Sequence, residues 1–349
     1  MLTTLFFLSS GLFLGWSLGA NDAANIFGTA VGTKMIKFKT AAFICSVFII
    51  IGAVVSGAGA SHTLGKLGAV NELAGAFIVA LAAAITVMWM TKAGLPVSTS
   101  QAIVGAIIGW NLFSHTETSM DSLSKIVGTW IFSPILSATL AFVLFHIVKR
   151  IVERSKIHLL HLDSYTRIGL LVVGAFGSYS LGANNIGNVM GVFIASSPFK
   201  DITLADLFQI SSTQQLFLIG GIAIAVGVFT YSKKVMMTVG SGIFKLSPVT
   251  ALVVVLASSI TLFLFASQGL YNFLTSHHLP AFPLVPVSSS QAVVGSVMGI
   301  SLAKGGRNLN FKKLGHISMG WIVTPVGSAI LAYVALFFMQ NVFMQNVFK

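Results

Sequence analysis

Gly19-Ala20-Asn21-Asp22-Ala23-Ala24-Asn25 returns 163 residues later as Gly182-Ala183-Asn184-Asn185-Ile186-Gly187-Asn188. Pro96-Val97-Ser98-Thr99-Ser100-Gln101-Ala102-Ile103-Val104-Gly105-Ala106 returns 190 residues later as Pro286-Val287-Ser288-Ser289-Ser290-Gln291-Ala292-Val293-Val294-Gly295-Ser296. A third pair, Trp130…Pro134 and Trp321…Pro325, is spaced by 191 residues. Order is preserved, so the chain is a tandem duplication. Each copy sets amides and hydroxyls inside apolar sequence, where polar groups are costly unless they pair or line a cavity.

Composition fixes the surrounding medium. The chain is 55% hydrophobic and only 8% charged, with a mean hydropathy of +0.92. Soluble domains carry roughly 25% charged residues. So few charges cannot cover a water-facing surface, and the reading is an all-α integral membrane protein. Apolar runs at 41–60, 74–91, 126–148, 168–181, 215–231, 249–267 and 321–339 approach the roughly 20 residues that a spanning helix needs. The start, Met1-Leu2-Thr3-Thr4, lacks a basic segment and reads as part of a span, not a cleaved signal. Cys45 is the only cysteine, so no intrachain disulfide exists.

The net charge of +12 does not indicate a nucleic-acid partner, because the basic residues alternate between loops. Lys34, Lys37, Lys39, Lys92, Lys149, Arg150, Arg154, Lys156, Arg167, Lys233, Lys234, Lys245, Lys304, Arg307, Lys312 and Lys313 form one set, 16 of the 20. The positive-inside rule places that set in the cytoplasm and both termini outside. The pattern fits five crossings per repeat, at about 2–31, 41–60, 74–91, 95–112 and 126–148, then about 168–197, 213–231, 249–268, 286–303 and 316–339. An odd number per copy makes two inverted-topology repeats, a symmetry common among secondary transporters. Segments 95–112 and 286–303 read equally as re-entrant hairpins. Segments 2–31 and 168–197 are long and carry their polar motif near the middle, so they are expected to be broken or tilted. Residues 1–148 form repeat one, 149–167 a charged cytoplasmic linker, and 168–349 repeat two.

The acids single out one residue. Glu72, Glu117, Asp121, Asp201 and Asp206 fall in expected external loops, and Glu153 and Asp163 in the linker; Asp22 alone lies inside a span. A lone intramembrane carboxylate marks a functional site, and no Lys or Arg lies within a span to pair with it. A cation or a proton is the economical partner. Asn21 and Asn25 flank it, and Asn184, Asn185 and Asn188 repeat the arrangement without the acid. Such oxygen sets, with unwound backbone at Gly19 and Gly182, suit hard cations.

The second motif has the opposite preference. Proline favours the first turn of a helix, so Ser98, Thr99 and Ser100, and Ser288, Ser289 and Ser290, fall at helix starts. Free N–H groups and the positive dipole end there attract anions. Gln101 and Gln291 follow and add amides. Two inverted copies would aim two helix starts at one small tetrahedral oxyanion.

These motifs resemble the inorganic phosphate transporter (PiT) family, across nearly the whole chain. The resemblance rests on Gly19–Asn25, Gly182–Asn188, Pro96–Gln101 and Pro286–Gln291, with Thr230–Val235 and Trp321–Pro325 as further family-like elements. It implies uptake of inorganic phosphate coupled to sodium ions or protons by alternating access. It places Asp22, Asn25, Ser98, Thr99, Ser100, Asn185, Asn188, Ser288, Ser289 and Ser290 around substrate and coupling ion. The partners expected are phosphate or sulfate, sodium as co-substrate with no other metal or cofactor, the plasma-membrane bilayer and a second copy in a homodimer. Three departures from the family pattern stand out: Asn185 stands for Asp, Gln101 and Gln291 stand for His, and no Glu occurs near Ile49-Ile50. Fewer ionisable groups imply fewer cations per anion, or a sulfate permease of the same family. A passive anion channel is the alternative class, though no ring of like charge lines the spans. An enzyme is not expected, because Asp22 lacks a second intramembrane acid and no Ser/His pair lies within the spans.

Overall fold

The computed structural model describes residues 2–68, 70–92, 97–155, 158–204, 208–238, 246–306 and 311–349. Pro96, Lys156, Asp206, Lys245 and Arg307 lie outside them. The described residues are nearly all helical. The first half carries α1 (Leu2–Gly32), α2 (Phe38–Ser56), α3 (Ala58–Leu67), α4 (Leu73–Lys92), α5 (Thr99–Ser114) and α6 (Met120–Ser155). The second carries α7 (Leu159–Met190), α8 (Ser212–Thr230), α9 (Ser232–Thr238), α10 (Pro248–Ala266), α11 (Gln268–Ser276), α12 (Ser289–Ala303) and α13 (Phe311–Asn341). A 3-10 turn at Gly191–Phe193 follows α7, and β1 (Ile202–Leu204) pairs antiparallel with β2 (Phe208–Ile210) in a small hairpin not expected from the sequence.

Seven helices, α1, α2, α4, α6, α8, α10 and α13, are long and apolar enough to cross a bilayer. The protein is a multi-pass membrane protein. Its outer faces are apolar: Ile131, Ile135 and Phe142 on α6 and Ile322, Ile330 and Phe337 on α13 are exposed, as lipid contact requires. Helix α7 matches α1 in length, but Ser178, Ser180, Asn184, Asn185 and Asn188 dilute its apolar character. Helices α5 and α12 have 16 and 15 residues, about 24 and 22 Å at 1.5 Å per residue, short of a core roughly 30 Å thick.

Three expectations change. Helices α1 and α7 run unbroken through Gly19–Asn25 and Gly182–Asn188. The glycines serve close packing, because a Cβ at Gly19 would collide with the Ile224 carbonyl and one at Gly182 with the Ile49 carbonyl. The interruption lies instead before α5 and α12, whose N-caps Ser98 and Ser288 are extended (φ −108°, ψ 111° and φ −77°, ψ 114°). Pro286 stands two residues ahead of its N-cap, outside the helix and not in its first turn. Residues 149–155 continue α6 and 159–167 begin α7. The apolar run 41–60 is also divided, at Gly57, into α2 and α3.

The two halves exchange partners. Helix α1 packs on α8 while α7 packs on α2, and α5 packs on α13 while α12 packs on α6. Glycines make these approaches in matched pairs. Gly105 abuts the Pro325 carbonyl and Gly295 abuts that of Pro134; Gly52 abuts Tyr179 and Gly227 abuts Trp16. Small residues at helix crossings are the membrane's substitute for a hydrophobic driving force. The reciprocity brings the two polar motifs of each copy to one buried centre.

Candidate functional site

The centre is built on two facing helix starts. Ser98 Oγ accepts the Gln101 N–H at 3.2 Å, and Ser288 Oγ accepts the Gln291 N–H at 3.2 Å. Ser100 Oγ donates to the Val287 carbonyl at 3.1 Å, and Ser290 Oγ donates to the Val97 carbonyl at 2.5 Å. Each extended lead-in is thus held by the other helix. Four of the six hydroxyls are spent on caps and cross-links. The first N–H groups of α5 and α12 have no partner within their helices, which leaves backbone donors directed into the centre.

Helix α1 lays its amides and carboxylate against the α12 start. Asp22 Oδ2 accepts from Ser289 Oγ at 2.8 Å, and that hydroxyl oxygen accepts from Asn25 Nδ2 at 3.3 Å. Asn21 Nδ2 donates to Thr91 Oγ1 at 2.8 Å. Asp22 is 1% exposed, and among the described residues it makes no ion pair. On the other side, Asn188 Nδ2 donates to Ser100 Oγ at 2.8 Å and to Asn185 Oδ1 at 2.9 Å. Asn185 Nδ2 turns back to the Leu181 carbonyl at 3.1 Å. Asn184 clamps Val287 through both amide atoms, at 2.7 and 3.0 Å. Asn184 therefore positions the α12 lead-in, a role its place in the motif did not reveal.

Five buried polar atoms around this centre have no partner: Asp22 Oδ1, Asn188 Oδ1, Thr99 Oγ1, Gln101 Oε1 and Gln291 Oε1. Buried polar atoms are nearly always satisfied, so a cluster of orphans calls for a ligand. Carboxylate and amide oxygens beside α1 suit a hard cation. Helix-start N–H groups and the Thr99 hydroxyl suit an anion. The sequence brought every one of these residues forward except Thr91 and the backbone of Val97 and Val287. Thr91 sits beside Lys92 at a helix end, and a backbone carbonyl carries no side-chain signal.

A sequence profile of the Phosphate transporter family matches residues 18–332 and 279–349. The chain belongs to that family. Its relatives include a sulfate permease, CysP of Bacillus subtilis, 29% identical over 92% of this chain and 84% of the relative. A provisionally named phosphate permease of Methanocaldococcus jannaschii is 27% identical over 92% of this chain and 93% of its own length. One of Haemophilus influenzae is 25% identical over 95% and 96%. A solved structure described as the sodium-dependent phosphate transporter has a similar fold, with a TM-score of 0.73 and 23% identity, covering 96% of this chain and 99% of that one. The family membership agrees with the resemblance read from the paired motifs.

Proposed function

We propose that the protein is a secondary active transporter that takes up inorganic phosphate with sodium ions or protons as coupling cations. The observation that carries this is the contact of Asp22 with Ser289. The one buried carboxylate among the described residues meets the start of a helix, so cation and anion preferences adjoin at one buried point. Asn21, Asp22 and Asn25, with Asn184, Asn185 and Asn188 of the second copy, form the cation side. Thr99, Gln101, Gln291 and the hydroxyls and N–H groups at Ser98–Ser100 and Ser288–Ser290 form the anion side. The reciprocal packing of the halves supports inverted repeats that rock about this point, with both termini on the outer face of a plasma membrane.

A doubly charged oxyanion beside one carboxylate needs roughly three compensating positive charges from cations, protons and helix dipoles. Asn185 in place of a second acid lowers the demand by one. The same residue, with the likeness to a sulfate permease, favours sulfate as the second reading. Radiolabelled phosphate uptake into proteoliposomes tests both, with and without inward sodium and proton gradients and with excess unlabelled sulfate. Gradient-driven accumulation that resists sulfate is the expected result. Sulfate uptake without phosphate uptake moves the protein to the second reading, and equilibration without accumulation makes it a channel.

A further inference from the structure

A cavity of about 370 Å³ lies beside the centre, enclosed by α3, the Gly191–Phe193 turn, Val70 and Thr213. His62 and Lys66, one helical turn apart on α3, stand exposed on its rim. Among the described residues neither makes an ion pair. Of the acids in the flanking segments, Glu72 pairs with Lys349 at 3.2 Å, and Asp201 Oδ1 accepts the Ser212 N–H at 2.7 Å. Lys66 thus sets a positive charge, without an ion-pair partner among the described residues, at the mouth of a mostly apolar cavity.

Its floor touches the site. Ser61 Oγ stands 2.7 Å from where a Cβ on Gly187 would lie, and Gly187 sits between Asn185 and Asn188. Leu64 Cδ2 lies 3.5 Å from the same point on Gly191, closing the gap. Asn185 and Asn188 are 1% and 0% exposed, so the floor is shut, whereas Asn25 on the opposite side of the centre is only half-buried.

We infer that this cavity is an antechamber for a tetrahedral oxyanion, held by Lys66 and His62 before it passes Ser61 and Leu64 to Thr99 and the α5 start. The inference rests on the transport reading. Low-dielectric walls focus the field of a lone cation and raise the local anion concentration. A lysine, a flexible and well-hydrated point charge, suits brief holding better than a rigid bidentate clamp.

Charge at residue 66 is the variable to test. Cys45 is fully buried, so a thiol placed by Lys66→Cys is the one that a water-borne reagent reaches. In oxyanion uptake at low ionic strength, Lys66→Cys and Lys66→Glu are expected to raise KM about three- to tenfold with kcat held within about twofold. Lys66→Arg keeps the wild-type KM. A cationic methanethiosulfonate restores KM in the cysteine variant, and an anionic one raises it further. These differences shrink in 0.15 M salt, where the screening length is about 8 Å. A KM blind to charge at this residue, or equal effects of the two reagents, overturns the antechamber while leaving wild-type transport intact. A wild type that carries neither phosphate nor sulfate overturns the transport reading and the antechamber with it.

Discussion

Asp22 and Ser289 stand 267 residues apart in sequence and 2.8 Å apart in the fold. This contact joins the one buried carboxylate among the described residues to the start of α12. Asp22→Asn keeps the shape and removes the charge. Because burying an unpaired carboxylate is costly, the variant is expected to fold with unchanged or higher thermal stability. Uptake should fall by about 100-fold or more, since the cation loses its one ionised ligand. Thermal unfolding and initial uptake rates, measured on the same preparation, check both halves. Activity near wild type would remove Asp22 from the coupling role.

Ser289 and Thr99 occupy equivalent places in the two repeats but have unlike surroundings. Ser289 Oγ serves both Asp22 and Asn25, whereas Thr99 Oγ1 has no partner. Ser289→Ala therefore strands the buried Asp22 carboxylate and the half-buried Asn25 amide and should cost about 1–3 kcal/mol, with weaker cation affinity. Thr99→Val strands nothing, so stability should hold while KM for the anion rises. Unfolding temperatures with cation and anion titrations of uptake distinguish the two. Equal destabilisation by both substitutions would contradict the asymmetry.

The sequence made the site legible because its residues are polar groups in apolar surroundings, doubled in order. Asp22 stood out by having no intramembrane counterpart. The geometry of the breaks was not legible. A glycine in an apolar helix reads equally as a hinge or as a close approach, and only the backbone of Ile224 or Ile49, distant in sequence, decides. Residues 41–60 look continuous because Ser56 and Gly57 are tolerated in apolar helices, yet the chain divides there. The roles of Ser100, Ser290 and Asn184 were hidden for another reason: their partners are backbone groups, in the other repeat for Ser100 and Ser290 and 103 residues on in the same repeat for Asn184.

The matched glycines predict a stability effect that a flexible hinge would not give. A methyl at Gly19 or Gly182 meets a carbonyl oxygen of a packed helix, not the end of a movable side chain. Gly19→Ala and Gly182→Ala should each destabilise by about 1–3 kcal/mol through overpacking. Gly65→Ala on α3, where a Cβ meets nothing within 4 Å, should leave the unfolding temperature unchanged. Thermal unfolding in detergent compares the three. A neutral result at Gly19 and Gly182 would return them to the hinge reading.

Asn185 lies at the position equivalent to Asp22, with its Oδ1 already accepting from Asn188 at 2.9 Å. The partnerless hydroxyl of Thr99 belongs to the same half of the centre. Asn185→Asp thus places a second carboxylate where the Asn188 amide donor stands ready. The added negative charge needs one more cation or proton for each anion carried. The expected outcome is a rise of one in the cation:anion ratio, read from the reversal potential of uptake in proteoliposomes across a series of cation gradients. The anion's KM should become more dependent on cation concentration at the same time. A ratio unchanged from wild type, with uptake intact, would mean that this half of the centre takes no part in setting the stoichiometry.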